Sequence, residues 1–304
     1  MDKNHVYRLF KNIIEKGDVL IHEPMSKHTS FKIGGPVDVL VLPGSIEELA
    51  SSIKLCKSEG LDYFVMGNGS NIIVRDKGIR GIVIKISESL NNIIIEGTKL
   101  IAEAGALLSV VSKSALRSSL TGLEFASGIP GSLGGAIAMN AGAYGGEMKD
   151  VVTKVKCVDE NGNFVEYENS DMEFGYRQSR IQNEKLIVVQ VEMKLKEGNY
   201  EDIRAYTNEL TEKRTSKQPL HLPSAGSTFR RPEGYFAGKL IEDAGLKGLI
   251  LGGAQVSDKH CGFIVNIGNA TADDVINLIR VVQKTVSDKY GVKLETEVKI
   301  IGEE

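Results

Sequence analysis

Between residues 122 and 146 the chain places eight glycines: Gly122, Gly128, Gly131, Gly134, Gly135, Gly142, Gly145 and Gly146. Such a stretch suits neither a helix interior nor a regular strand, because glycine loses more backbone freedom on folding than any other residue. What it does suit is a backbone that must approach a ligand closely and pass repeatedly through positive φ. Within it, Gly128-Ile129-Pro130-Gly131-Ser132-Leu133-Gly134-Gly135-Ala136 and the following Asn140-Ala141-Gly142 consist mostly of small residues, the make-up of a pyrophosphate cradle. Close packing of bare backbone would account for the same residues, and this segment alone does not separate the two readings.

A second glycine motif, Gly67-Asn68-Gly69-Ser70-Asn71, follows the apolar run Phe64-Val65-Met66. A strand leading into glycines invites a dinucleotide fingerprint, but the third glycine is missing and Ile72-Ile73-Val74 reads as a strand, where a Rossmann unit needs a helix. An anion nest or a plain turn remains. His22-Glu23 and His28 do not form a zinc helix, since Pro24 interrupts them, so no metal site is expected. Cys56, Cys157 and Cys261 are far apart and lack metal or redox spacing, which fits a reducing compartment. With 37 basic against 40 acidic side chains, no excess charge is available for nucleic acid. The first residues lack the apolar core of a signal peptide, and no apolar run approaches a membrane span, so a soluble cytoplasmic protein is expected.

The length of 304 residues suggests two domains, and we place the boundary near residue 200, giving 1–200 and 201–304. In the first part Ser45 caps a helix with Ile46, Leu49, Ile53 and Cys56 on one face, and Gly60 stops it. A second helix is expected at Leu107–Ser118. Strands are expected at 79–86, 92–96, 100–102, 151–158, 164–167 and 186–195, with Asn161-Gly162 as a type I′ hairpin turn. The second part carries helices at 202–214, 237–244 and 271–290, a strand at 262–265, a glycine turn at Gly252-Gly253 and a closing strand over 293–302. Between them Ser224-Ala225-Gly226-Ser227-Thr228-Phe229-Arg230-Arg231-Pro232 sets a hydroxyl among small residues and two cations, without forming a nucleophile elbow.

In order along the chain, Thr29-Ser30-Phe31-Lys32-Ile33-Gly34-Gly35, Gly67–Asn71, Gly128–Gly145, Tyr176–Ser179, Gly226–Pro232, Ala237–Glu242 and Glu297-Val298-Lys299 together resemble the MurB family of reductases in peptidoglycan precursor synthesis. The resemblance spans nearly the whole chain. It implies an α+β fold: a vanillyl-alcohol-oxidase-type FAD-binding domain in two subdomains, about 30–200, followed by a substrate domain. It also implies non-covalent FAD held by Gly67, Asn68, Gly69, Ser70, Asn71, Gly128, Ile129, Pro130, Gly131, Ser132, Gly134, Gly135, Asn140 and Gly142, with NADPH as reductant. The implied reaction reduces the enolpyruvyl group of a UDP-sugar, UDP-N-acetylglucosamine enolpyruvate, to UDP-N-acetylmuramate.

The family's motifs fall on Arg177 as the cation for the substrate carboxylate and its developing enolate oxygens, on Ser227 as the proton donor to C2, and on Glu297, in its protonated form, as a group that shares the task of Arg177 or orients it. Lys217 matches a family lysine on the UDP diphosphate and His260 a polar substrate contact, while Arg231 stands where some members carry asparagine, which implies a diphosphate held more by charge. Arg177 and Lys217 lie too close in sequence to leave room for the lid insertion of one family class, so the resemblance is to the lidless class. Two other readings stay open on the residues alone: another FAD oxidoreductase of the same fold acting on a hydroxy acid or sugar alcohol, and a non-catalytic nucleotide-sugar binding protein.

Overall fold

The computed structural model of the protein describes residues 2–86 and 89–304. The chain forms two compact units that are not contiguous in sequence. The first comprises Met1–Ile21, Val39–Asn68 and Gly81–Arg214; the second comprises His22–Asp38, Gly69–Arg80 and Thr215–Glu304. The division falls at 214/215, later than the expected 200, and two N-terminal segments belong with the C-terminal part. The helix Tyr200–Lys217 runs through residue 200 without a break.

The first unit contains a five-stranded antiparallel sheet in the order Phe164–Glu168, Val152–Val158, Ile187–Lys194, Lys99–Glu103, Ile93–Glu96. A four-stranded sheet carries Asp18–Pro24, Pro36–Leu42, Ile79–Lys85 and Tyr63–Met66 in that order. The helix Ile46–Ser58 forms because Ser45 accepts the Glu48 N–H at 3.2 Å and because Leu49, Ile53 and Cys56 recur on one buried face. Gly60, at φ +61°, ends it.

The Glu48 carboxylate of this helix accepts the backbone N–H groups of Glu15 at 2.8 Å, Lys16 at 2.7 Å and Gly44 at 2.7 Å. It thereby fixes two loops at once. Burial alone would raise its pKa, but these bonds outweigh burial and hold the carboxyl below the usual glutamate range.

The turn at 159–163 differs from the type I′ expectation. Only Gly162 has positive φ, at +76°. Asp159 accepts the N–H groups of Asn161 and Asn163, both at 2.8 Å, so its side chain stabilises a longer loop with glycine at the left-handed position.

The second unit is built on an antiparallel sheet ordered Ser224–Ser227, Phe263–Asn266, Ala254–Val256, Ile250–Leu251. Against it pack the helices Ala237–Asp243 and Ala272–Tyr290, whose Leu240, Ile241, Val275, Ile279 and Val282 fill the core. Thr271 and Asp274 close a capping box on the longer helix. The closing strand is shorter than expected, Lys299–Ile301, and pairs in parallel with Ile72–Val74. Among the described residues no helix is long and apolar enough to cross a membrane.

Candidate active site

In the first unit the two glycine-rich segments meet. A Cβ on Gly67 would fall against Ser132 Oγ, so a bare backbone at residue 67 lets the loop after the strand Tyr63–Met66 approach Ser132 without turning its hydroxyl aside. Ser132 is buried and precedes the helix Leu133–Ala138. The N–H groups of Leu133 and Gly134 are engaged by Ala106 O and Ala104 O, both at 2.8 Å, and a Cβ on Gly134 would stand 3.0 Å from the Ala104 Cβ. Gly134 is therefore explained by close packing, as is Gly142, where a Cβ would meet Glu147 Cγ at 2.7 Å and Gly146 O at 2.8 Å.

Gly128 faces a different kind of neighbour. A Cβ there would lie 2.7 Å from Cδ of Arg214, in the last turns of the helix Tyr200–Lys217. Arg214 Nε is buried and has no hydrogen-bond partner among the described residues. Burial pulls the Arg214 pKa down, and Tyr144 only partly opposes this. An unpaired guanidinium N–H beside bare loop backbone is a ready partner for a phosphate oxygen. No sequence pattern marks Arg214, since it sits among Glu209, Glu212, Lys213 and Lys217 on a polar helix.

Asn140, expected to touch cofactor, has every side-chain hydrogen-bonding group occupied by protein. Its amide nitrogen donates to Glu147 Oε2 at 2.9 Å and to Gly175 O at 3.1 Å, and its oxygen accepts the Lys149 N–H at 3.0 Å. Arg177 stands in the same unit, in a turn from Gly175 to Gln178, at φ +58°. Its guanidinium lies 5.2 Å from the Tyr176 ring centroid.

In the second unit the strand Ser224–Ser227 pairs Ser224 with Val265 and Ser227 with Phe263, so that Ala225 and Gly226 stand opposite Ile264 alone. The extra residue is accommodated at Gly226, φ +75°, with open space where a side chain would be. This bulge re-aims Ser227, whose half-buried hydroxyl makes no hydrogen bond among the described residues. The next residue, Thr228, receives the Glu297 N–H at 2.9 Å on its carbonyl, while Asn71 Nδ2 donates to Glu297 O at 3.2 Å. Ser227, Glu297 and Asn71 are thus brought together from three distant stretches of sequence. Gly69, at φ +64°, is tied in through the Ser30 N–H, which donates to its carbonyl at 3.2 Å.

His260 Nδ1 accepts the Gly262 N–H at 3.1 Å, and its ring packs edge-on against Phe263 at 5.1 Å. Burial depresses its pKa. The neutral tautomer fitting this bond carries its proton on Nε2, making it a donor. Gly238 and Gly262 flank the ring, where Cβ atoms would come within 3.3 and 2.9 Å. Lys217 is exposed at the helix end. Arg231 stacks on Phe236 at 4.0 Å and donates to Tyr235 O at 3.3 Å. Gln218 Oε1 is a further buried polar atom without a hydrogen-bond partner among the described residues, and no motif signals it.

The chain matches the FAD binding domain family over residues 36–168 and the family described as UDP-N-acetylenolpyruvoylglucosamine reductase, C-terminal domain, over 218–301. It is 58% identical to the UDP-N-acetylenolpyruvoylglucosamine reductase of Caldanaerobacter subterraneus subsp. tengcongensis, across 96% of this chain and 97% of that protein. The chain belongs to the UDP-N-acetylenolpyruvoylglucosamine reductase family. The Clostridioides difficile reductase is 53% identical over the full length of both chains. Among solved structures, the Thermus caldophilus reductase of the family superposes with a TM-score of 0.80 at 35% identity, covering 93% of this chain and 98% of that one. The fold is therefore an α+β FAD-binding domain joined to the family's C-terminal domain. Arg214 Nε, the bare Gly128 and the Gly67–Ser132 contact fit a group bearing a diphosphate, as FAD does.

Proposed function

We propose that Ser227, Glu297 and Arg177 carry the reduction of the enolpyruvyl group of UDP-N-acetylglucosamine enolpyruvate to UDP-N-acetylmuramate, the reaction of this family in peptidoglycan precursor synthesis. The observation that carries it is the bulge at Gly226, which leaves the Ser227 hydroxyl unengaged and one residue from Thr228, whose carbonyl accepts the Glu297 N–H. FAD held by the glycine-rich loops would supply the hydride-transfer chemistry, with NADPH as the source of the reducing equivalents.

The chain's own groups supply the rest. Ser227 holds the proton that completes the addition at the neighbouring carbon. A hydroxyl remains protonated at neutral pH, and a carbon carrying carbanion character is basic enough to take its proton. Arg177 pairs with the substrate carboxylate, whose charge grows during the addition, and a planar guanidinium meets both oxygens. Glu297 shares that task. Gly67, Asn68, Gly69, Ser70, Asn71, Gly128, Ile129, Pro130, Gly131, Ser132 and Gly135 form the cofactor-facing loops, and Arg214 neutralises a cofactor phosphate. Lys217, Arg231 and the Nε2–H of neutral His260 hold the UDP-sugar. The chain works in the cytoplasm, binds no nucleic acid and belongs to the class without a lid insertion. Its three cysteines are free and buried, in keeping with a reducing compartment.

The test is Ser227→Ala, followed by stopped-flow absorbance. NADPH should bleach the flavin at the wild-type rate. Recolouring by the enolpyruvyl sugar should slow by about 10²–10⁴-fold, the usual contribution of a positioned acid. Wild-type recolouring would falsify the acid role.

A further inference from the structure

The turn that carries Arg177 is unusual in its backbone. A non-glycine residue at φ +58° is in the left-handed region, a strained conformation that persists only where surrounding contacts over-determine it. The turn itself supplies little of that determination. The Gly175 N–H donates to Gln178 O at 3.1 Å, and the return bond from the Gln178 N–H to Gly175 O is long, at 3.4 Å.

The stronger restraints come from outside the turn. Asn140, 1% exposed, donates to Gly175 O at 3.1 Å. Gln182 Nε2 donates to Arg177 O at 3.3 Å and to Ala138 O at 2.6 Å, and Ser179 Oγ donates to the same Ala138 carbonyl at 3.0 Å. Ala138 is the last residue of the helix Leu133–Ala138, which begins at the glycine-rich loop. These ties run from the Arg177 turn to the end of one short helix and the residues just after it.

We propose that Asn140 and Gln182 form a clamp that holds the Arg177 turn in register with the helix Leu133–Ala138, making both positioning residues for the family reaction. This rests on the assignment of Arg177 given above. Asn140 acts here through protein alone, because its two amide hydrogens and its oxygen are all engaged by Glu147, Gly175 and Lys149. Asparagine also suits the site in its backbone, since Asn140 itself stands at φ +41°, which few other side chains tolerate. Glu147 completes the arrangement. It accepts from Asn140, pairs with Lys149 Nζ at 2.9 Å and lies close enough to Arg177 to feel its charge. An apolar residue at 140 would leave the Lys149 N–H without its acceptor and would take the shorter of two donors from Gly175 O and one of two from Glu147 Oε2. A carboxylate there would face Glu147 and could donate to neither oxygen.

The test uses flavin-loaded Asn140→Ala, Gln182→Ala and Arg177→Ala, together with the two doubles on the Arg177→Ala background. Gln182 is exposed, so its variant keeps the core intact and remains informative if Asn140→Ala folds poorly. Each half-reaction is followed separately. Reduction of the bound flavin by NADPH should stay within about twofold of wild type, and flavin content should be unchanged. Reoxidation by the enolpyruvyl sugar should slow by about 10–100-fold in Asn140→Ala, as expected for a displaced catalytic group, and by a smaller factor in Gln182→Ala. On the Arg177→Ala background, neither substitution should slow reoxidation further, because a positioning residue has nothing left to position. Equal slowing of both half-reactions, or a full additional loss in the double variants, would overturn the clamp. Normal reoxidation in Arg177→Ala by itself would instead overturn the assignment of Arg177.

Discussion

Replacing Arg214 by methionine should move the stability of the free protein and its affinity for flavin in opposite directions. Methionine keeps the aliphatic stem that touches Gly128 and removes a buried Nε–H with no partner among the described residues. An unsatisfied buried donor costs about 1–3 kcal/mol, so the flavin-free variant should be as stable as the parent or more stable, by up to about that amount. With flavin bound the sign reverses. A charge-assisted bond to a phosphate oxygen contributes about 1.5–3 kcal/mol, so the Kd for FAD should rise by about 10–100-fold.

The two effects combine through linkage. At a FAD concentration of 100 times the parent Kd, binding stabilises the parent by about 2.7 kcal/mol, and a thirtyfold weaker variant retains only about 0.9 kcal/mol of that. At roughly 2–4 °C per kcal/mol, the flavin-induced rise in Tm should shrink from roughly 5–10 °C to roughly 2–4 °C. The assay is thermal melting of deflavinated protein with and without FAD, alongside a flavin-fluorescence titration. A variant that melts below the parent without flavin and shows an undiminished response to FAD would refute the reasoning. Arg214 would then be a packing residue whose guanidinium finds solvent.

Lys217→Ala should raise KM for the UDP-sugar more than it lowers kcat and leave flavin reduction by NADPH unchanged, because an exposed lysine facing a diphosphate contributes binding that is the same in ground and transition states. Steady-state kinetics with single-turnover flavin reduction check this; parallel loss in both would return Lys217 to a helix-end role. Glu48→Gln should destabilise the protein by about 1.5–3 kcal/mol at pH 7, since the carboxylate that holds the N–H groups of Glu15, Lys16 and Gly44 is lost. The Glu48 pKa is depressed in the folded state, so its stabilising contribution is present in full above the ordinary glutamate pKa near ~4.3 and disappears as pH falls through the folded value. Urea titrations from pH 7 to pH 3 should accordingly show the gap between parent and variant closing from about pH 4 downward; a gap independent of pH would exclude the carboxylate as its source.

Local signals in the sequence determined the elements. Ser45 and Thr271 start their helices and Gly60 stops one because capping and positive φ are decided within a few residues, and Ile72-Ile73-Val74 after the Gly67–Asn71 loop already ruled out a Rossmann turn. The ordered motifs were also enough to indicate the family, since they are spread over nearly the whole chain. What the tertiary structure decided is which chemistry each of those residues has left to offer. Gly134 and Gly128 look alike in sequence, yet one packs on Ala104 and the other faces Arg214. Asn140 reads as part of a cofactor loop, but the fold brings it Glu147, Gly175 and Lys149 and occupies its amide completely. Arg214 carries no local mark, because a cation on a polar helix looks solvated until the helix meets the glycine loop. The unit boundary was hidden for the same reason: Ile72–Val74 takes its partner from Lys299–Ile301, at the far end of the chain. Capping and turn chemistry act between near neighbours and can be read along the chain, whereas hydrogen-bond satisfaction and close approach depend on partners that only folding supplies.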